Sequence, residues 1–201
     1  ISNRLGKSLI EDYEVKLDDA SKIIGCYKAL AKVGFGLDEE NINQFSDDSK
    51  PMKSALAFCD RIQNSKLLSN KFVEIVNDYE KEEDPKSEFK TNLEVSMDHI
   101  DGSYNSDQRN RKLNWLKESI DSKDSRILSN VRCLTEGVDV PSLDAIMFMH
   151  PRKSQIDVVQ AVGRVMRKSP GTDKKMGYVI LPITIAPGVD AATALNNNEK
   201  Y

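Results

Sequence analysis

Residues 126–150 read RILSNVRCLTEGVDVPSLDAIMFMH, and the reading of this stretch decides the fold. Two short β-type runs, RILSNV (126–131) and DAIMFMH (144–150), flank a loop that contains Gly137 and Pro141. Outward from there, similar runs recur at EDYEVKL (11–17), SALAFCD (54–60), LEVSMDHI (93–100) and GYVILPI (177–183). Helical patterns lie between them at 19–33, 61–79, 105–119 and 154–168. Strands that alternate with helices build βαβ units, so the expected fold is α/β, a parallel sheet of about six strands with helices on both faces.

The helix at 105–119 has a readable start. Asn105 can cap it and Gln108, three residues on, can complete a capping box, while Leu113, Leu116 and Ile120 form its buried stripe. Trp115 sits in the middle of this helix and reads as core. Residues 34–52 and 80–91 are polar and acidic and read as loops, since a strand follows each promptly.

A chain of 201 residues with 39% hydrophobic content can bury one sizeable core. One domain over 1–201 is expected, with its core at 11–183. The chain opens on Ile1 and ends in the polar run NNNEKY, and it reads as a piece of a larger protein. No run of eighteen apolar residues exists and the N-terminus lacks the order of a signal peptide, so a cytoplasmic protein with no membrane contact is expected.

Cys26, Cys59 and Cys133 are far apart and set in apolar segments, the pattern of reduced core thiols. Neither His99 nor His150 has Cys, Asp or Glu neighbours at metal-ligand spacing, so no metal site is expected.

The net charge of −3 opposes binding to nucleic acid through bulk electrostatics alone. The average hides an asymmetry. Residues 80–88 carry five acids and two bases, whereas 151–175 carry seven bases against Asp157 and Asp173.

In a parallel sheet the C-terminal strand ends and the loops that follow them form the ligand edge, and chemistry is sought there. Gly6-Lys7-Ser8 resembles the end of a phosphate-binding loop, but the first glycine of that pattern would fall on Ile1 and no strand precedes it. An amphipathic lead-in helix is the better reading. No Asp-Glu pair directly follows an apolar strand to hold magnesium, so the chain by itself lacks an ATP-hydrolysing site.

Two segments stand out. In QAVGRVMR (160–167), Gln160, Arg164 and Arg167 share one helix face beside Gly163, while Val158, Val159, Val162, Val165 and Met166 make the rest apolar. Two guanidiniums suit phosphate oxygens and the gap at Gly163 allows close approach; a solvated face with incidental arginines is the alternative. In TEGVDVP (135–141), Thr135 offers a hydroxyl, Gly137 an unusual backbone angle, and Asp139 an acceptor for a ribose hydroxyl. Taken alone, this could be an ordinary glycine turn.

The two in this order resemble motifs V and VI of superfamily-two helicases. SALAFCD (54–60) resembles motif IV of that family, and HIDGSYNSDQR (99–109) resembles the segment between motifs IV and V, with Gly102 and Arg109 at the family's spacing. The resemblance spans roughly 11–183. It implies a RecA-like second motor domain of an ATP-dependent helicase or DNA translocase. Arg164 and Arg167 would then be arginine fingers reaching ATP and Mg2+ held by an absent first RecA-like domain, with Gln160 in the same cleft. Asp139 would touch the ribose or the coupling network. Thr135 and Gly137 would contact the nucleic-acid backbone, and Gly102 and Ser103 would bind another phosphate through backbone N–H and hydroxyl groups beside Arg109.

A narrower resemblance links 132–171 and DDASKIIGCYKALAK (18–32) to bacterial helicases of the type ISP restriction-modification kind, which carry nuclease, translocase and methyltransferase in one polypeptide. Gln160, where DEAD-box RNA helicases have His, favours a partner of double-stranded DNA over RNA. The rival implications are an RNA helicase of the same superfamily and a catalytically silent RecA-like docking module. The isolated chain is expected to bind nucleotide weakly and to hydrolyse almost none.

Overall fold

The computed structural model describes residues 17–33, 50–87, 90–91, 93–118, 121, 123–131, 143–150, 158–160, 162–163 and 176–183. In chain order these form α1 (Leu17–Ala31), β1 (Ser54–Phe58), α2 (Ile62–Glu82), β2 (Glu94–Ile100), α3 (Ser106–Lys117), β3 (Asp124–Asn130), β4 (Ala145–Phe148) and β5 (Tyr178–Ile180). Residues 158–160 and 162–163 are also helical.

All strand pairs are parallel, and the sheet order is β2-β3-β1-β4-β5. The α/β expectation holds, with five strands among the described residues instead of about six. The strand expected at 11–17 lies outside them except for Leu17, which opens α1.

The first of the described strands is the central one of the five, and its side chains divide the core. Ala55, Ala57 and Cys59 face a cluster formed with Tyr27 and Leu30 of α1 and with Phe72, Ile75 and Val76 of α2. Leu56 and Phe58 face the opposite cluster, with Leu113 and Leu116 of α3 and the partly buried Trp115, Val158 and Val162. This period-two division repeats at Ile127/Leu128 and at Met147/Phe148, and it is what a strand covered on both faces requires. Small residues on the first face of β1 let two helices lie close to the sheet. On the second face, the Phe58 and Phe148 rings stack at 5.5 Å and bind β1 to β4.

Helix ends show how local chemistry sets the boundaries. The capping box at Asn105 is present in both directions: Gln108 N donates to Asn105 Oδ1 at 2.9 Å and Asn105 N donates to Gln108 Oε1 at 3.0 Å. Ile120 lies outside the described residues.

Helix α1 stops two residues before the expected end. Lys32 turns into the left-handed region at φ 56°, Val33 N donates to Lys28 O at 3.0 Å, and Lys32 N donates to Ala29 O at 3.1 Å. That is a Schellman closure built without glycine at the left-handed position.

Helix α2 runs three residues past the expected end and takes Glu80 into its last turn, because Glu80 has partners there. Its Oε1 accepts from the Tyr27 hydroxyl at 2.9 Å and from Thr91 N at 3.2 Å. The Tyr27 hydroxyl, buried beneath α2, titrates well above the ordinary tyrosine range; burial is the main cause, and the Glu80 carboxylate adds to it against the opposing Thr91 hydrogen bond.

Candidate functional site

The C-terminal ends of the strands share one edge of the sheet. The connection leaving β1 runs through α2 on the first face, whereas the helical residues that follow β4 pack against the second. Adjacent strands whose connections diverge in this way leave a crevice at their carboxyl ends. Asp60 and His150 meet there, with Oδ1 and Nδ1 3.5 Å apart. Burial acts to raise the Asp60 pKa, but the Asn64 amide donating at 2.6 Å, the His150 ring and backbone N–H groups together hold it below its usual value. Cys59 N donates to Asn130 O and Met149 N to Phe58 O, so the three central strand ends stay in register up to the crevice.

One strand outward, the turn after β2 is organised by a buried carboxylate. Asp101, 2% exposed, accepts at Oδ1 from Ser103 N (2.8 Å) and Ser103 Oγ (2.5 Å). Its Oδ2 meets His99 Nε2 at 2.9 Å and Lys66 Nζ at 3.5 Å. Hydrogen bonds from Ser103 are the largest influence on this carboxyl; they outweigh the cost of burial and, with His99, hold it well below the ordinary carboxylate range.

A carboxylate only accepts, so Nε2 of His99 carries a proton and donates to Asp101, while Nδ1 meets the Ser65 hydroxyl 2.7 Å away. Ser65, His99 and Asp101 thus form a line of the residue types used in nucleophilic catalysis. The line is structural, because Ser65 is fully buried and no substrate can reach its hydroxyl. It ties α2 to the turn, and Ser129 extends it toward β3 through contacts with Ser65 O (3.1 Å) and Asp98 O (3.2 Å).

Basic side chains surround this turn. Arg109 donates from Nη2 to Gly102 O at 2.9 Å, and its Nε is buried with no hydrogen-bond partner. Lys112 pairs with Asp98 at 2.6 Å and lies over the Tyr104 ring. Gly102 is exposed, and a methyl group added to it would meet nothing within 4 Å.

The helical residues after β4 are seated on the core through Val158 and Val162, one turn apart. Gln160 and Gly163 are exposed, and so is Val159, at 69%. The helix expected to be buried around all but a polar stripe is therefore open over a wider face that includes Val159. A side chain built at Gly163 would also meet nothing within 4 Å.

Of the residues singled out from sequence, Gly102, Ser103 and Arg109 come together at the turn after β2, and Gln160 lies on the open helix face after β4. Thr135, Gly137, Asp139, Arg164 and Arg167 lie outside the described residues, as does Cys133. Cys26 and Cys59 are buried, as expected. The residues that sequence reasoning missed are Asp60, Ser65, Lys66, Asp101 and His150. An Asp directly before Gly-Ser is a turn signal that could have marked Asp101. Lys66 and Ser65 carry no local signal, since the fold alone brings them to a turn 34 residues away.

Among the described residues, no group of three or more His, Cys, Asp or Glu side chains could hold a metal, and no helix is long and apolar enough to cross a membrane.

Residues 39–169 match the helicase conserved C-terminal domain family. A solved structure, the ATP-dependent type ISP restriction-modification enzyme LlaBIII bound to DNA, is similar over 99% of this chain with 37% identity and a TM-score of 0.74; the match takes in 12% of that enzyme. A probable helicase of African swine fever virus is 36% identical over 73 residues, which is 36% of this chain and 8% of the viral protein. The chain thus corresponds to a small part of each of these relatives.

Proposed function

This chain belongs to the helicase conserved C-terminal domain family, and on that premise we propose that it is the second motor domain of an ATP-driven superfamily-two DNA translocase that works within a restriction-modification enzyme. The observation that carries this reading is the open face of the helix after β4. Val158 and Val162 anchor it to the core, while Gln160, Gly163 and an exposed Val159 are left facing outward. An exposed glutamine beside a sterically open glycine, on a helix seated on the core by its other face, suits a surface that a second domain approaches closely.

On this reading ATP and Mg2+ sit between that face and a first RecA-like domain. The described part of the face fits a nucleotide in one respect: Gly163 leaves room for close approach. On the same reading Mg2+ would be held chiefly by the first domain. ATP would supply the phosphoanhydride that is cleaved once the cleft has closed on nucleic acid. Arg164 and Arg167 would offset charge on the transferring phosphoryl group, Gln160 would orient beside them, and Asp139 would hold the ribose. Thr135, Gly137, Gly102 and Arg109 would grip the backbone of double-stranded DNA, while Ser103, expected from sequence to join them, gives both its donors to Asp101 and holds the turn instead. The likeness to LlaBIII, a restriction-modification enzyme bound to DNA, supports DNA as the track; nuclease and methyltransferase domains in the same polypeptide and a cytoplasmic setting belong to the same proposal.

The test is ATP turnover by the intact polypeptide that carries this chain, measured with duplex DNA and with RNA. Turnover stimulated by duplex DNA supports the reading, and stimulation by RNA alone replaces it with an RNA helicase. Arg167→Ala should lower DNA-stimulated turnover by about a thousandfold or more while nucleotide affinity is retained. Turnover left within about threefold of wild type, roughly 0.7 kcal/mol in the barrier, would remove Arg167 from the finger role.

A further inference from the structure

At the turn after β2, the serine donors that the sequence offers to a phosphate are already engaged. Both donors of Ser103, the backbone N–H and the hydroxyl, are given to Asp101. A single hydroxyl proton cannot also serve a phosphate, so an anion approaching this turn would have to draw on other groups.

Three cations lie around it. Lys112 is mostly buried and held at 2.6 Å by Asp98. Arg109 is half-buried, gives one Nη2 donor to the Gly102 carbonyl and keeps others that could share an anion with a neighbouring cation. Lys66 differs from both. Its side chain is 54% exposed, and its ammonium is 3.5 Å from Asp101 Oδ2, too long for a good hydrogen bond. That carboxylate already takes three shorter contacts, from Ser103 N, Ser103 Oγ and His99 Nε2. Asp101 therefore orients Lys66 from below without consuming its N–H groups, and the charge reaching solvent is the positive one. The adjoining Gly102 is open above its backbone, so a chain of phosphates can approach within contact distance.

We propose that Lys66 is a contact to the nucleic-acid backbone, presented at the Gly102 turn by the buried Asp101 carboxylate. The proposal rests on the reading of this chain as a nucleic-acid motor domain. It assigns a phosphate contact to α2, an element outside every motif singled out in the sequence.

The experiment is duplex-DNA binding by the intact polypeptide, followed by fluorescence anisotropy between about 50 and 200 mM salt. Neutralising one phosphate contact lowers the slope of log affinity against log salt by about one, uniformly across DNA sequences. Lys66→Gln should show that loss with an unchanged melting temperature, and Lys66→Arg should restore the wild-type slope. Wild-type binding with an unaltered slope in Lys66→Gln overturns the assignment alone. Failure of the wild-type polypeptide to bind duplex DNA overturns the motor reading and this assignment with it.

Discussion

Ser103 donates twice to one oxygen of Asp101, through its backbone N–H at 2.8 Å and its hydroxyl at 2.5 Å, and the second oxygen of that carboxylate faces His99. The carboxyl is buried, and these donors hold its folded-state pKa below the ordinary value of 3.8. A depressed carboxylate stabilises the fold fully above its unfolded pKa and ceases to do so as pH falls through the folded value.

Stability should therefore be flat in this respect above about pH 5 and fall on acidification below about pH 4. Asp101→Asn should flatten that acid limb in denaturant titrations run at stepped pH. Asp101→Ala, which strands the Ser103 and His99 donors, should cost roughly 2–4 kcal/mol at neutral pH. An Asp101→Asn protein with an unchanged acid limb would show that this carboxyl does not govern it.

Gly163 separates folding from function. It is helical, exposed and free of steric neighbours, and alanine there gains roughly 1 kcal/mol of helix propensity. Gly163→Ala should raise the melting temperature by a few degrees, on the order of 2–5 °C. If a nucleotide or the first motor domain approaches at this point, ATP turnover should fall in the same variant. A higher melting temperature with unaltered turnover would sink the close-approach reading.

Cys26 is fully buried, with its sulfur 3.9 Å from Met149 Sδ, and burial pushes its thiol up to about 12. Only the thiolate reacts readily, so Cys26 should resist alkylation in the folded protein and react at the rate at which the chain unfolds. Mass spectrometry after pulses of alkylating reagent across a denaturant series should place Cys26 labelling on the global unfolding midpoint. Labelling in native buffer at the speed of a free thiol would contradict the packing of α1 on the sheet.

Patterns confined to a few neighbouring residues were the legible part of this chain. Five β-type runs became strands, the alternation along SALAF became the two-faced burial of β1, and Asn105 with Gln108 formed the capping box. The end of α1 was missed because a lysine, not a glycine, takes the left-handed position at Lys32. The end of α2 was missed because Glu80 finds its partners in Tyr27 and Thr91, on other elements. At the turn, Gly102, Ser103 and Arg109 were singled out through the family resemblance, and the structure brings them together, but the direction of Ser103's donors was not legible. That direction depends on Asp101, which in turn is set by His99 and Lys66, and only the fold unites α2 with the end of β2.

The central place of β1 also governs how the chain reaches this structure. Its two hydrogen-bonded neighbours are β3 and β4, and Ala55 pairs with Ala145 across about ninety residues. Neither edge of β1 can be satisfied while β2 and α3 are still being made, so its apolar SALAF segment waits unpaired on the growing polypeptide. Pairings this distant slow folding and prolong the exposure of sticky strands. Synthesis halted before residue 124 would leave the future centre of the sheet as its most aggregation-prone segment.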